Sequence, residues 1–164
     1  DTQELKNADI AYAIRAMHEN NRYHELFFIG DTCRSASLYE WIKSPGVLST
    51  SSSLTHEESY SYDMDYYLGV HVMDRYSFFT LKFLDERVRS LNSTATMQDY
   101  LESCSYEECH STIGVSTDNY EKDPKRVLAT DFFASARIVR YVQEEIALED
   151  DWSAAVERRM RHSG

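Results

Sequence analysis

A single cysteine, Cys33, lies in the stretch FFIGDTCRSASLYE, residues 27–40. The apolar run before it predicts a buried strand over Leu26–Gly30, and the small residues after it predict a short helix from Ser35 to Trp41. A polar corner between a strand and a helix, at the edge of a sheet, is a common position for a nucleophile. Cys33 is therefore the first candidate for a catalytic residue.

Spacing excludes several thiol chemistries for Cys33. A cysteine phosphatase requires an arginine six residues later, where Tyr39 stands, and a thioredoxin-type site requires a cysteine three residues later, where Ala36 stands. No group of cysteines and histidines at short spacing surrounds Cys33, so we expect no metal site and no cofactor. The remaining alternatives are a thiol that works with a histidine and an inert buried thiol.

Length and charge restrict the class of protein. The chain has 164 residues, of which 17 are basic and 28 acidic, and its net charge is −11. One domain is expected, and the negative charge disfavours binding to nucleic acid or to anionic membranes. No apolar run reaches the ~18–20 residues that span a bilayer, and the first residues lack the basic and apolar regions of a signal peptide. The sequence therefore predicts a soluble chain.

Periodicity and turn residues predict alternating helices and strands, as in α/β proteins. A helix is expected over Ala8–Asn20 with Asn7 as its N-cap, a second strand over Val47–Ser52, and a long core helix near Gly69–Arg89. Thr96–Asp99 has the form of a capping box. The other expected elements are a short helix ending at Cys104, a weak strand over Thr112–Ser116, a strand over Val127–Phe133 and a mostly helical segment from Ala134 to Arg161.

Four blocks of the sequence occur in the order and at the spacing of a known family. They are FFIGDTCRSASLYE, SPGVLSTSSS, LGVHVMDRYSFF and DPKRVLATDFFASAR. Together they resemble the catalytic subunits of GPI-anchor transamidases, which are caspase-like cysteine peptidases related to legumain. The resemblance covers about Ala8 to Arg140. It implies a three-layer αβα sandwich with a mostly parallel sheet over residues 1–140, and residues 141–164 are expected to form a helical acidic tail.

The resemblance also implies a reaction. The family's nucleophile corresponds to Cys33, whose thiolate would attack the carbonyl at the cleavage site of a precursor's C-terminal signal. The resulting thioester would pass to the ethanolamine amine of the GPI lipid. Ser52 and Ser53 match the residues that line the family's substrate pocket, although serines at a strand end are ordinarily turn formers. The loop Thr55–Ser59 matches a segment that helps to bind substrate, and a solvated loop is the alternative.

The implied partners are the other subunits of the GPI transamidase complex, on the luminal side of the endoplasmic reticulum membrane. Two other functions remain open. One is a legumain-like endopeptidase, in which water accepts the acyl group. The other is a scaffold that binds the same partners without catalysis.

A thiol nucleophile needs a base, because a free thiol is mostly protonated at neutral pH. His18 and His24 precede Cys33 but are expected at the opposite edge of the sheet, since the strand alone separates its two ends by roughly 20 Å. The family's histidine belongs to a His-Gly motif on a strand that would precede Asp1. We therefore expect the C-terminal part of a caspase-like domain, inactive on its own, in which the backbone N–H of Cys33 is the identifiable oxyanion donor.

Three further residues fit an oxidising lumen. Cys104 and Cys109 have a C-x4-C spacing, and the family has a similar pair in the matching region, which implies a disulfide. Two reduced thiols in a cytosolic protein are the alternative. Asn92 begins an Asn-Ser-Thr sequon in a predicted loop, which permits N-glycosylation.

Asp31, beside the candidate nucleophile, is expected to form local hydrogen bonds and not to act as a catalytic acid.

Overall fold

The computed structural model of the chain describes residues 5–133, in which a three-stranded sheet lies between helices. The helices are α1 (Asn7–Glu19), α2 (Arg75–Arg87), α3 (Met97–Leu101), α4 (Tyr106–Cys109) and α5 (Thr130–Phe133). The strands are β1 (Leu26–Gly30), β2 (Val47–Ser51), β3 (Met64–Asp65), β4 (Val70–His71) and β5 (Gly114–Asn119). A 3₁₀ helix over Ser35–Leu38 follows β1. None of the helices in these residues is long and apolar enough to cross a membrane.

The sheet has the strand order β1-β2-β5. β1 and β2 are parallel, with Leu26 opposite Val47 and Gly30 opposite Ser51, whereas β5 is antiparallel to β2. The predicted strands at Leu26–Gly30 and Val47–Ser52 are therefore confirmed almost to the residue. The described part of the sheet is mixed, since one of its two pairings is parallel.

Alternate residues of β2 face two different layers, as the pleat of a strand requires. On one face, Val47 packs in a buried cluster with Ile14 of α1. On the other face, Leu48 packs with Met97 and Tyr100 of α3. Full burial of a side chain such as Leu48 stabilises the fold by about 1.5–3 kcal/mol. Helices on both faces of the sheet confirm the three-layer α/β architecture.

The helix predicted over Gly69–Arg89 begins only at Arg75. Residues 69–74 instead belong to the return arm of a hairpin that β3 and β4 form. Gly69 adopts a φ of +66°, which an α-helix does not admit. Val72, expected on the apolar face of that helix, is 60% exposed. The expectation of a core helix is wrong for this segment, and α2 buries one face, around Tyr76.

The strand predicted over Val127–Phe133 is also wrong. Leu128 forms only an isolated bridge with Thr96, and α5 follows. Val127 and Ala129 are buried in the core cluster beside α3. The apolar run therefore reflects burial of a turn, which periodicity alone cannot distinguish from a strand.

The capping box at the start of α3 is confirmed. The Thr96 hydroxyl accepts a hydrogen bond from the Asp99 N–H at 3.2 Å, and the Asp99 carboxylate accepts one from the Thr96 N–H at 2.7 Å. The bonds from Thr96 to the charged carboxylate lower the pKa of Asp99. α3 ends at Leu101 and not at Cys104. The predicted helical segment 134–161 and the acidic tail 141–164 lie outside the described residues.

A disulfide joins Cys104 to Cys109, whose Cα atoms are 5.8 Å apart. Both residues are buried, in a cluster with Tyr76 of α2. The bridge therefore joins α4 to the segment after α3, and both cysteines pack against Tyr76 of α2.

Replacing both Cys104 and Cys109 by serine is expected to lower the free energy of unfolding by about 2 kcal/mol, because the short loop they close is no longer restrained in the unfolded chain. Urea unfolding of the full-length protein measures this loss. Reductant should destabilise the wild type by a similar amount and leave the double variant unchanged. Equal stability of the two proteins without reductant would show that the bridge contributes nothing.

Candidate active site

Cys33 lies in the corner between β1 and the 3₁₀ helix, three residues beyond Gly30. Its side chain is exposed. The sulfur lies 3.7 Å from the hydroxyl oxygen of Ser59 and 3.8 Å from its carbonyl oxygen. An exposed thiol at the end of a strand does not fit the alternative of an inert buried cysteine.

The corner contains a strained residue, Arg34, which follows Cys33 and has a φ of +58°. A left-handed conformation costs a non-glycine residue about 1–2 kcal/mol, so other contacts must hold it. The Arg34 N–H donates to the Glu57 carbonyl at 2.8 Å, and the Arg34 carbonyl accepts from the Ser37 hydroxyl at 2.9 Å. The Arg34 guanidinium also lies 3.8 Å from Glu58. These contacts fix the turn that carries the thiol.

The backbone N–H of Cys33 donates no hydrogen bond to any residue in the described range. The next two N–H groups are both engaged, that of Arg34 by Glu57 and that of Ser35 by the Ser53 hydroxyl. An unpaired N–H beside an exposed nucleophile has the position that an oxyanion donor requires. Its role in catalysis stays a prediction.

Ser52 and Ser53 stabilise the corner through buried hydrogen bonds. Both are completely buried, as is Ser35. The Ser53 hydroxyl donates to the Thr32 carbonyl at 3.0 Å, and the hydroxyls of Ser52 and Ser35 are 3.2 Å apart. The hydrogen bonds of their hydroxyl groups are to Thr32 and Ser35, in the turn around Cys33. Lining of a substrate pocket by Ser52 and Ser53 stays a prediction.

Ser35 was not expected at the site. Its N–H and hydroxyl both bond Ser53, at 3.2 and 3.3 Å. The sequence carries one signal for this role, the small size of the residue two positions after the nucleophile, and that signal is not specific.

Glu57 anchors the loop Thr55–Ser59 to the segment before β5. Its carboxylate accepts hydrogen bonds from the N–H and the hydroxyl of Thr112, both at 2.8 Å, and from the Leu54 N–H at 3.3 Å. The hydrogen bond from the Thr112 N–H is the largest influence on the pKa of Glu57 and lowers it. Burial is the next largest and raises the pKa, but the net result is a pKa below the usual value. Because the backbone carbonyl of Glu57 also accepts the Arg34 N–H, Glu57 connects the nucleophile turn to the segment before β5.

Glu57→Gln is expected to lower the free energy of unfolding by about 1 kcal/mol at neutral pH. The two carboxylate oxygens of Glu57 accept from Thr112 and Leu54, whereas a glutamine side chain offers these donors a single acceptor oxygen. The folded state lowers the pKa of Glu57, so the stabilisation is complete above the unfolded pKa and is lost as the pH falls through the folded pKa. Urea unfolding at neutral and acid pH should show the two proteins converging in acid.

Glu58→Gln is the matched control, because Glu58 is adjacent and its side chain makes only an exposed ion pair with Arg34 among the residues that the structure describes. Its expected effect is below about 0.5 kcal/mol. Equal losses in the two variants would contradict the anchoring role of Glu57.

The histidines that precede Cys33 lie away from it. His18 and His24 line a cavity together with Gly46 and Tyr120, at the edge of the sheet where β1 and β2 begin. Within residues 5–133, no histidine forms a hydrogen bond with the Cys33 sulfur. The other histidines are His56, His71 and His110, which follow the cysteine in the chain, and His162, which lies outside the described residues.

The structure also places Asp31 and Asn92, the remaining residues that the sequence analysis singled out. Asp31 accepts a hydrogen bond from the Ser77 hydroxyl at 2.5 Å, which connects the end of β1 to α2. Asn92 is exposed in the turn after α2, so its sequon is accessible. In the described part of the chain, no group of three or more acidic, histidine and cysteine residues is arranged to hold a metal ion.

Comparison with known proteins gives one family and several close relatives. The sequence model of the peptidase C13 family matches residues 1–121. A Caenorhabditis elegans protein named provisionally as a GPI-anchor transamidase is 58% identical over 154 residues, which are 94% of this chain and 48% of the relative. GPI-anchor transamidases of Mus musculus and Saccharomyces cerevisiae are each 42% identical, over 100% and 85% of this chain and 41% and 33% of their own lengths. The chain thus spans less than half the length of these curated relatives.

Proposed function

Because this chain belongs to the peptidase C13 family, we propose that it is part of a GPI-anchor transamidase in which Cys33 is the nucleophile. The names of the relatives support this function. The observation that carries it is the exposed thiol of Cys33, on a fixed turn at the end of β1, beside a backbone N–H that donates no hydrogen bond within residues 5–133.

The reaction begins when the Cys33 thiolate attacks the carbonyl carbon at the cleavage site of a precursor. The Cys33 N–H donates a hydrogen bond to the oxyanion that develops on the carbonyl oxygen. The C–N bond then breaks, the leaving amine takes up a proton, and the C-terminal signal departs. The ethanolamine amine of the GPI lipid attacks the remaining thioester, so that a new amide forms and the thiol is released.

The proton acceptor of this proposal is a histidine of the full-length protein that is not among these 164 residues. Its contribution explains why the 164 residues alone are not expected to process a precursor. Ser52 and Ser53 contribute to the pocket for the attachment residue through the turn that they support. These roles concern the complete enzyme, of which this chain is one part.

The proposed location is the luminal side of the endoplasmic reticulum membrane, in a complex with the other transamidase subunits. The disulfide between Cys104 and Cys109 supports an oxidising compartment. The exposed sequon at Asn92 is compatible with glycosylation there.

A small amine tests the reaction class. The full-length protein in its complex is given a precursor and increasing concentrations of hydrazine, and the new C-terminus is identified by mass spectrometry. A transamidase should yield the hydrazide in place of the free acid as the amine concentration rises. The free acid alone at every concentration would indicate a legumain-like hydrolase, and no cleavage at all would indicate a scaffold. Either result overturns the proposal.

A further inference from the structure

The turn between α2 and α3 contains the one Asn-x-Ser/Thr sequence of the 164 residues, Asn92-Ser93-Thr94. The Ser93 N–H donates to the Ser90 carbonyl at 3.0 Å, which closes a β-turn with Asn92 at its third position. Asn92 and Thr94 are exposed, whereas the next residue, Ala95, is buried in the core cluster. The tripeptide therefore lies on the surface, directly before the chain enters the core.

Hydrogen bonds hold this turn through the middle residue of the tripeptide. The Ser93 hydroxyl donates to the Arg87 carbonyl, at the end of α2, at 2.6 Å, and accepts from the Ala95 N–H at 3.2 Å. The side chains of Asn92 and Thr94 form no hydrogen bond within residues 5–133. N-glycosylation requires the first and third residues of the sequon and accepts any middle residue except proline. The turn is thus held without the two side chains that the modification requires.

The turn lies at the end of α2 that is farther from the candidate nucleophile. The other end of α2 is held at the end of β1, where the Ser77 hydroxyl donates to Asp31, two residues before Cys33. From Ser77 to Arg87, the helix runs roughly 15 Å at ~1.5 Å per residue. The attachment point at Asn92 is therefore separated from Cys33 by most of the length of the helix.

We propose that Asn92 carries an N-linked oligosaccharide, an inference that rests on the proposed luminal location. The acceptor is the side-chain amide of Asn92, and the donor is an oligosaccharide joined to a lipid through a diphosphate. The amide nitrogen forms a bond to the anomeric carbon of the first sugar, and the bond from that carbon to the diphosphate oxygen breaks. The diphosphate leaves with the electron pair, and one amide proton passes to a base of the transferase.

The neighbours of Asn92 form a surface that suits a bulky, hydrated group. Arg89 and Asp85, at the end of α2, form an exposed ion pair at 3.2 Å. Leu91 is 61% exposed, but a single apolar residue is ordinary on a protein surface and does not mark a protein interface. An oligosaccharide on this turn would keep it in water and exclude the other subunits of the complex from it.

The disulfide gives an independent indication of the compartment that this modification requires. Sequons also arise by chance in proteins that never meet the transferase, and such proteins usually keep their cysteines reduced. Cys104 and Cys109 are instead joined in the folded chain. The sequon and the bridge therefore point to the same oxidising compartment.

The test reads the modification and the disulfide from a single peptide. The full-length protein is purified in its complex from cultured animal cells and digested with trypsin, which releases residues 90–122 as one fragment that contains Asn92, Cys104 and Cys109. An amidase that removes N-linked glycans leaves aspartate where a glycosylated asparagine stood. After this treatment, mass spectrometry should find aspartate at position 92, whereas Asn119, which belongs to no sequon, should remain asparagine.

Two substitutions of Thr94 form the matched pair of controls. Thr94→Ala destroys the sequon and should leave asparagine at position 92, whereas Thr94→Ser preserves the sequon and should preserve the modification. Because the Thr94 side chain is exposed and forms no hydrogen bond in the described part of the chain, neither substitution should alter the fold. Aspartate at position 92 in Thr94→Ala would overturn the inference, because the conversion would then not depend on the sequon.

The state of the cysteines separates this inference from the proposed location. Free thiols are alkylated before digestion, so that the same fragment reports whether Cys104 and Cys109 were joined. Unmodified Asn92 in a fragment with an intact bridge would overturn the inference and leave the oxidising compartment in place. Unmodified Asn92 together with two alkylated cysteines would overturn both the inference and the proposed location.

Discussion

Replacement of Cys33 by serine in the full-length protein is expected to reduce anchor transfer by about 10³-fold or more. A serine hydroxyl has nearly the same size as the thiol but is a much weaker nucleophile at neutral pH. Because Cys33 is exposed and its sulfur makes only long contacts with Ser59, the fold should be unaffected. The measurement is the rate at which the complex converts a precursor to the anchored product.

Ser59→Ala is the control, because Ser59 contacts the Cys33 sulfur without carrying the nucleophile. Its expected effect on the transfer rate is within about 10-fold, since only one weak hydrogen bond is lost. The midpoint of urea unfolding should be the same in both variants and the wild type. A Cys33→Ser protein that folds and transfers the anchor at the wild-type rate would remove Cys33 from the mechanism.

Gly46→Ala is expected to lower the free energy of unfolding by about 3 kcal/mol, the largest loss of stability that we predict for a single substitution. Gly46 has a φ of +74°, which costs other residues about 1–2 kcal/mol. A Cβ at this position would also lie 2.6 Å from the His24 carbonyl oxygen, and relief of such a contact costs a further ~1–3 kcal/mol. Since the Gly46 carbonyl accepts the Leu26 N–H at 2.9 Å, the distortion falls where β1 and β2 begin to pair.

Gly69→Ala separates the two causes of this loss. Gly69 has a similar φ of +66°, but no atom lies within 4 Å of the Cβ that a substitution would add. Its expected cost is therefore about 1–2 kcal/mol, from the backbone conformation alone. Urea unfolding of both full-length variants provides the comparison. A Gly46→Ala variant no less stable than Gly69→Ala would show that the carbonyl of His24 moves away without cost.

The strands that carry the site could be predicted because their signals are local. β1 is a short apolar run, β2 begins with two apolar residues directly after the Pro45-Gly46 turn, and α3 begins at a capping box whose two partners are three residues apart. The return arm of the hairpin, at the start of the predicted helix Gly69–Arg89, could not be predicted in this way, because the hairpin depends on Tyr62 stacking against Phe78, 16 positions away. Aromatic residues at helical spacing gave no indication of that contact.

In the candidate site, too, local features could be predicted from the sequence and long-range contacts could not. Cys33 was recognisable from its corner and from the family resemblance, and its exposure agrees with both. The role of Glu57 depends on Thr112, which is 55 positions away, and that of Ser35 depends on Ser53, 18 positions away. Such pairings are set by the packed fold, and the residue types alone do not reveal them. For the same reason, the sequence could not show that the Ser53 hydroxyl holds the Thr32 carbonyl.

The most direct test of the account is to identify the residue that carries the acyl group during transfer. The full-length complex is mixed with a precursor in the absence of any amine acceptor, quenched in acid and digested for mass spectrometry. If Cys33 is the nucleophile, the processed precursor should be attached to the peptide that contains Cys33, through a thioester that hydroxylamine cleaves. An acyl group on any other residue, or transfer that continues after Cys33 has been alkylated, would contradict it.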